Sequence, residues 1–167
     1  MSAHEHHARH RRSVGCAVVT VSDTRTAADD ASGTCIRTRL EEAGHRVVAY
    51  AILPDEPARI RAHVEELLAT PEVEAVIVNG GTGLARRDTT YEALAGLFDK
   101  RLDGFGELFR MLSYQEIGAA AMLSRAAAGI ARGKVLASLP GAPPAVELAL
   151  VRLLVPELTH MVDLLRG

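Results

Sequence analysis

Between Val14 and Leu165 the chain alternates short, nearly unbroken apolar runs with longer stretches in which apolar residues recur every three or four positions. Val14–Val21 is the first such run, the pattern of a parallel strand covered on both faces. Asp30–Ala43 reads as a helix, with Ile36, Leu40 and Ala43 on one face and Gly44 as its stop. Arg46–Leu53 is a second strand. Glu56–Ala69 is a second helix, its Ile60, Val64, Leu67 and Leu68 standing at i, i+4, i+7 and i+8. Ala75–Val78 is a third strand. Thr89–Leu97 is a third helix, opened by Thr89-x-x-Glu92 at capping-box spacing. Phe105–Tyr114, continuing to Met122, reads as more helix, and Arg125–Ile130 and Lys134–Leu139 as two short strands around an Arg132-Gly133 turn. The C-terminus carries one helical stripe (Val146, Leu150, Leu153, Leu154) and, after an expected break at Pro156, a second (Leu158, Met161, Val162, Leu165). This alternation predicts an α/β domain over residues 13–167, with a mostly parallel sheet covered by helices on both faces.

Composition narrows the function classes. The 167 residues suit one domain, since domains most often run about 100–200 residues. A net charge of −2 creates no global basic field for nucleic acid or anionic lipid, and three Tyr, three Phe and no Trp offer few stacking platforms. No run of about 18 apolar residues exists, so no membrane span is expected. No apolar signal core follows the N-terminus, and the two cysteines, Cys16 and Cys35, lie inside apolar or helical patterns; together these point to the cytoplasm. Residues Met1–Arg12 hold four histidines and three arginines and read as a separate tail, either a solvated terminus or a segment that binds a metal or an anionic partner.

In an open parallel sheet, ligands bind outside the carboxyl ends of the strands. Ser22-Asp23-Thr24 follows the first strand and Pro54-Asp55-Glu56 the second. The third is followed by Asn79-Gly80-Gly81-Thr82-Gly83 and the polar run Arg86-Arg87-Asp88-Thr89-Thr90, and the last by Pro140-Gly141. Three glycines in four residues permit positive φ and close backbone approach. Successive exposed N–H groups then make a nest for phosphate, to which Arg86 and Arg87 add charge; the alternative is a tight structural turn. Asp55 and Asp88, placed beside such a nest, are expected to face one cleft and to offer hard oxygen ligands for Mg²⁺. For Asp23, Asp55 and Asp88 alike the alternative is capping of a neighbouring turn or helix.

Other chemistries lack their signatures. No Gly-Lys-Ser/Thr follows the glycine loop, so it is not a P-loop, and Gly81-x-Gly83-x-x-Arg86 lacks the third glycine of a dinucleotide fingerprint. No Gly-x-Ser-x-Gly elbow is present. Neither cysteine is near a histidine, and His45, His63 and His160 stand singly.

Val21-Ser22-Asp23, Leu53-Pro54-Asp55-Glu56, Gly80-Gly81-Thr82-Gly83 with Arg87-Asp88, and Leu139-Pro140-Gly141-x-Pro143 resemble, in this order, the motifs of the MoaB/MogA family of molybdenum cofactor biosynthesis. The stretch from Phe105 to Gly118 is most similar to the MoaB branch. The resemblance implies a three-layer α/β/α sandwich, assembled as a trimer or hexamer. It implies a nucleotidyltransferase that adenylylates molybdopterin with ATP and Mg²⁺, releasing pyrophosphate. It also implies contact with other proteins of the pathway. By the same resemblance Asp55 and Asp88 are the functionally important aspartates and tentative Mg²⁺ ligands. Gly80, Gly81, Thr82 and Gly83, with Arg87 and Thr90, form the phosphate site, while Ser22, Asp23, Ser113, Pro140 and Gly141 match pocket-lining positions. Thr90-Tyr91-Glu92 departs from the Thr-Pro-Asp of the MogA branch, and the resemblance to the MoaB branch is compatible with pterin binding without efficient adenylylation. The alternative function is therefore a non-catalytic molybdopterin-binding or scaffold protein. The chain has only two lysines, Lys100 and Lys134, both away from the glycine loop. Direct in-line attack by the pterin phosphate on ATP suits this, because it needs position and charge stabilisation but no lysine nucleophile.

Overall fold

The computed structural model describes residues 12–167. The histidine-rich tail lies outside the described residues except for Arg12, whose guanidinium pairs with Glu74 at 2.5 Å and whose carbonyl accepts from Thr159 Oγ1. Six strands form one sheet: β1 (Gly15–Val21), β2 (Arg46–Leu53), β3 (Ala75–Asn79), β4 (Lys100–Arg101), β5 (Ala127–Ala131) and β6 (Lys134–Leu139). Their order is β2-β1-β3-β6-β5-β4. The first four are parallel, and β5 and β4 add an antiparallel edge. The helices are α1 (Ala31–Glu42), α2 (Pro57–Ala69), α3 (Thr90–Ala95), α4 (Asp103–Ile117), α5 (Pro143–Ala149) and α6 (Val155–Arg166).

Alternate residues of the central strands enter two separate cores. Cys16, Val18, Ile77, Val135 and Ala137 pack with Ile36 and Leu40 of α1, Phe109 of α4 and the C-terminal helices. Ala17, Val19, Val76, Val78 and Leu136 pack on the other face with Ile60, Val64, Leu67 and Leu68 of α2 and Leu94 of α3. Burial on both faces is what made these strands read as unbroken apolar runs. The result is the expected α/β/α sandwich.

Two local readings are corrected, and one element was missed. Pro156 does not break the C-terminal helix. A π-helical segment, Leu150–Leu154, joins α5 to α6, and the Val155 N–H donates to Leu150 O. Widening the helix at this point accommodates a proline that has no N–H and whose ring crowds the carbonyl four residues back. The helix over Phe105–Met122 ends at Ile117 and tightens into a 3₁₀ turn, Gly118–Leu123. Edge strand β4, two residues long, was not anticipated.

The pairing register decides where the site lies. Val21 pairs with Leu53, Thr20 with Asn79, and Asn79 with Leu139, so the four parallel strands end level. The chain leaves β1 toward one face and β3 toward the other, because α1 and α3 belong to opposite layers. A crevice opens at such a switch point between neighbouring strands.

Candidate functional site

A cleft of about 500 Å³ occupies that crevice. Its walls are Thr20, Val21, Ser22 and Arg25 after β1, Asn79 to Gly83 and Asp88 after β3, and Pro140 to Ala142 after β6. Leu123 and Ser124 close one side.

Two glycines of the loop are required by close approach. Gly80 has φ 97°, and a Cβ there would stand 2.2 Å from the carbonyl oxygen of Val21. Gly81 has φ 68°, and its Cβ would stand 2.1 Å from Thr90 Oγ1 and 2.8 Å from Asp55 Oδ2. Real Cβ atoms do not come this close, and the left-handed backbone adds strain for any other residue. The N–H of Gly80 is anchored on Leu139 O at 2.9 Å. Among the described residues, the next three N–H groups, of Gly81, Thr82 and Gly83, make no hydrogen bond within the chain. Three successive residues whose N–H groups have no partner thus line the cleft, the element from which anion-binding concavities are built.

The two aspartates flank this loop from different sides. Asp88 lines the cleft; its Oδ2 accepts from the Ala85 N–H at 2.9 Å. Asp55 is buried and does not line the cleft, contrary to the expectation of two carboxylates facing it. Its Oδ1 accepts from Thr89 Oγ1 at 2.5 Å and from the Thr89 N–H at 3.2 Å, while Oδ2 stands behind Gly81. The Thr89 hydroxyl therefore caps no helix, and Glu92 pairs with Arg125 instead of completing a capping box. Thr90 is wholly buried behind Gly81, and its Oγ1 has no hydrogen-bond partner among the described residues.

Arg87 is not directed at the cradle. It grips Asp23 with two bonds, Nε at 2.6 Å and Nη2 at 2.8 Å, and Asp23 Oδ1 also accepts from the Asp55 N–H at 3.0 Å. These donors hold the Asp23 carboxyl down at about 2, the Arg87 bond first and the Asp55 N–H second. Asp23 and Arg87 thus tie three strand-end loops together outside the cleft wall. The cleft's cation is Arg25, which sequence reasoning missed; its Nη1 lies 3.4 Å from Ser32 Oγ and 3.7 Å from Asp30.

Asp30 anchors the floor below. Burial raises its pKa, but donors from Thr20 Oγ1 at 2.6 Å, Tyr50 at 2.5 Å and the Gly33 N–H at 2.9 Å outweigh that and leave it lowered. Thr20 in turn accepts from Asn79 Nδ2 at 2.9 Å, so a buried polar chain fixes the base of both strand ends. Ser22 lines the cleft, with its Oγ accepting from the Thr24 and Arg25 N–H groups. Pro140 and Gly141 line it, with Gly141 O accepting from Ser32 Oγ at 2.6 Å. Ser113 is buried on α4 and is not among the lining residues. Lys134 opens β6, and Lys100 pairs with Ile130, which pairs with Val135; both therefore stand at the end of the sheet away from the cleft.

Fold and cleft define a class: a doubly wound α/β domain with a glycine-rich loop lining a cleft at its switch point. Residues 17–160 match the family model described as "Probable molybdopterin binding domain". The chain is 48% identical over 167 residues to molybdenum cofactor biosynthesis protein B of Bacillus subtilis strain 168, covering 99% of this chain and 98% of that one. It is 47% identical over 162 residues to the protein of the same name from Halalkalibacterium halodurans, covering 96% and 95%. Among solved structures, the tungsten cofactor synthesizing protein MoaB from Pyrococcus furiosus superposes with a TM-score of 0.83 at 38% identity, over 93% of this chain and 99% of that one. The chain belongs to the MoaB/MogA family of molybdenum cofactor biosynthesis proteins.

Proposed function

We propose that this chain is a molybdopterin adenylyltransferase: it binds molybdopterin and ATP in the switch-point cleft and joins them, releasing pyrophosphate. The observation that carries the reading is the row of open N–H groups at Gly81, Thr82 and Gly83 beside Asp88 and Arg25. A phosphate entering the cleft meets backbone donors, the Pro140-Gly141 turn and one guanidinium. Bringing the pterin phosphate in line with the α-phosphorus of ATP is catalysis by position and charge stabilisation. The attacking oxygen forms the new P–O bond as the bond to pyrophosphate breaks, and no protein nucleophile takes part. The distance of both lysines from the cleft supports this direct route over an enzyme–AMP intermediate.

Of the two aspartates only Asp88 is placed to meet a Mg²⁺ ion in the cleft. Asp88 Oδ1 is a hard oxygen with no hydrogen-bond partner among the described residues, on a residue that lines the cleft, whereas Asp55 stands buried behind Gly81, and no cluster of three or more metal-ligating side chains occurs among the described residues. When bound there with substrate phosphates, the ion would offset charge developing on the transferring group. A pterin carrier without turnover is the second reading, favoured by the engagement of Asp55 with Thr89. Self-association into a trimer or hexamer belongs to the proposal as well. Its support is the set of exposed apolar side chains Leu108, Met111, Tyr114 and Ile117 of α4, followed by Met122. The reading sets the reaction in the cytoplasm, in keeping with two unpaired thiols, and no helix among the described residues is long and apolar enough to cross a membrane.

The test measures pyrophosphate released from ATP in the presence of molybdopterin, with and without Mg²⁺. Release that requires pterin and metal together is expected. Saturable pterin binding with no ATP turnover favours the carrier.

A further inference from the structure

A cradle that offers N–H groups to an anion must turn its carbonyls away and satisfy them elsewhere. In this loop three carbonyl oxygens converge on one side chain from a distant segment. Arg125 Nη2 donates to Gly83 O at 2.7 Å and to Asp88 O at 3.0 Å, and Nε donates to Thr82 O at 3.3 Å. Nη1 pairs with the Glu92 carboxylate, and the guanidinium lies 5.0 Å from the centre of the Tyr91 ring. Arg125 does not line the cleft; its neighbour Ser124 does. Its side chain is about one-quarter exposed, and Glu92 is held below the usual carboxylate range by it.

We propose that Arg125 is a positioning residue that fixes the Gly80–Asp88 loop in its donor-presenting conformation from behind the cleft. The functional consequence rests on the reading of this loop as a phosphate cradle. The physical case is that glycines leave the peptide units of the loop free to flip. A flip of the peptide between Thr82 and Gly83 would exchange the Gly83 N–H for the Thr82 carbonyl in the cleft and turn attraction into repulsion. Arg125 opposes this flip by holding Thr82 O, while the same planar fork ties the Gly83 and Asp88 carbonyls and so fixes the rest of the loop. The Glu92 pair and the Tyr91 ring hold the fork in place. Lysine cannot substitute, since a single ammonium on a flexible stem cannot span the three acceptors.

The experiment compares the full-length wild type with Arg125→Lys and Arg125→Ala, by amide hydrogen exchange and by calorimetric titration with pyrophosphate. Exchange at the hydrogen-bonded amides around the loop, those of Ala85, Asp88, Thr89 and Thr90, is expected to quicken at least tenfold in both variants, with β1, β3 and β6 unchanged. Pyrophosphate affinity is expected to fall at least tenfold. A role in general stability alone would instead raise exchange across the sheet. Wild-type loop protection and wild-type affinity in Arg125→Ala would overturn the proposal while leaving the cradle intact. Failure of the wild type itself to bind pyrophosphate, with the loop still loosened locally in the variants, would overturn the cradle and keep the positioning role. Should Arg125→Ala not fold, Arg125→Lys, which keeps the charge, and Glu92→Gln, which releases the fork, carry the same two measurements, and wild-type exchange and affinity in both would overturn the proposal.

Discussion

Asp55 and Asp88 stand against the same glycine loop, one on its buried side and one in the cleft. Asp55 is 8% exposed and bound through one oxygen to both the hydroxyl and the N–H of Thr89. Asp88 opens on the cleft and gives one oxygen to a single N–H of its own loop. The buried wall is built to hold the loop's shape, and the open wall is the one that can reach a ligand. A carboxylate at a strand end can thus serve geometry or chemistry, and its hydrogen-bond partners decide which.

Substitutions on the two walls should therefore separate. The largest effect is expected for Asp88→Asn. Its amide oxygen can still accept from Ala85, so melting should be close to wild type. Turnover with molybdopterin and ATP should fall about 10²-fold or more, the scale of losing one preorganised electrostatic group. Gly81→Ala attacks the space between the walls. Its Cβ would displace Thr90 and Asp55 from a backbone already in the left-handed region. About 1–3 kcal/mol of strain is expected, visible as a melting temperature lower by several degrees and as lost anion binding. Asp55→Asn weakens the charge-assisted bonds from Thr89 and should cost about 1–2 kcal/mol, seen in denaturant titration. Loss of turnover in Asp55→Asn with unchanged stability would make the buried wall chemical and erase the contrast.

The smallest effect is expected far from both walls. His45, just ahead of β2, accepts the Val14 N–H on Nδ1 at 3.2 Å, and burial lowers its pKa from the ordinary 6.5. The folded state thus disfavours the protonated ring. The contribution of His45 is fully present above about pH 6.5 and fades as pH falls below that, by at most about 1.4 kcal/mol per pH unit. His45→Asn keeps an acceptor without a titrating group, so its melting temperature should decline less between pH 7 and 5. A decline equal to that of wild type would assign the acid sensitivity to other groups.

Much of the scaffold was legible because local and tertiary demands agree in it. β2 falls on Arg46–Leu53 as read, and α1 is capped by Asp30, whose carboxylate accepts from the Gly33 N–H. Two readings failed because a distant group outcompeted a local one. Thr89 had the spacing to cap its own helix, but Asp55, 34 residues away in sequence, takes its hydroxyl. Arg87 had the charge for an anion, but Asp23 takes its fork from 64 residues away. Arg125 gave no local signal, since its three carbonyl partners lie 37 to 43 residues earlier. β4 is too short for any periodicity to register. The glycine loop was readable because the tight turns its backbone makes need glycine itself.

The central claim is that the backbone N–H groups of Gly81, Thr82 and Gly83 receive the substrate's phosphate. The measurement that meets it most directly is a titration of ¹⁵N-labelled protein with Mg-ATP, following those three amides. Saturable downfield shifts, largest at these residues, are predicted. ATP binding that leaves the three amides where they were would contradict the account.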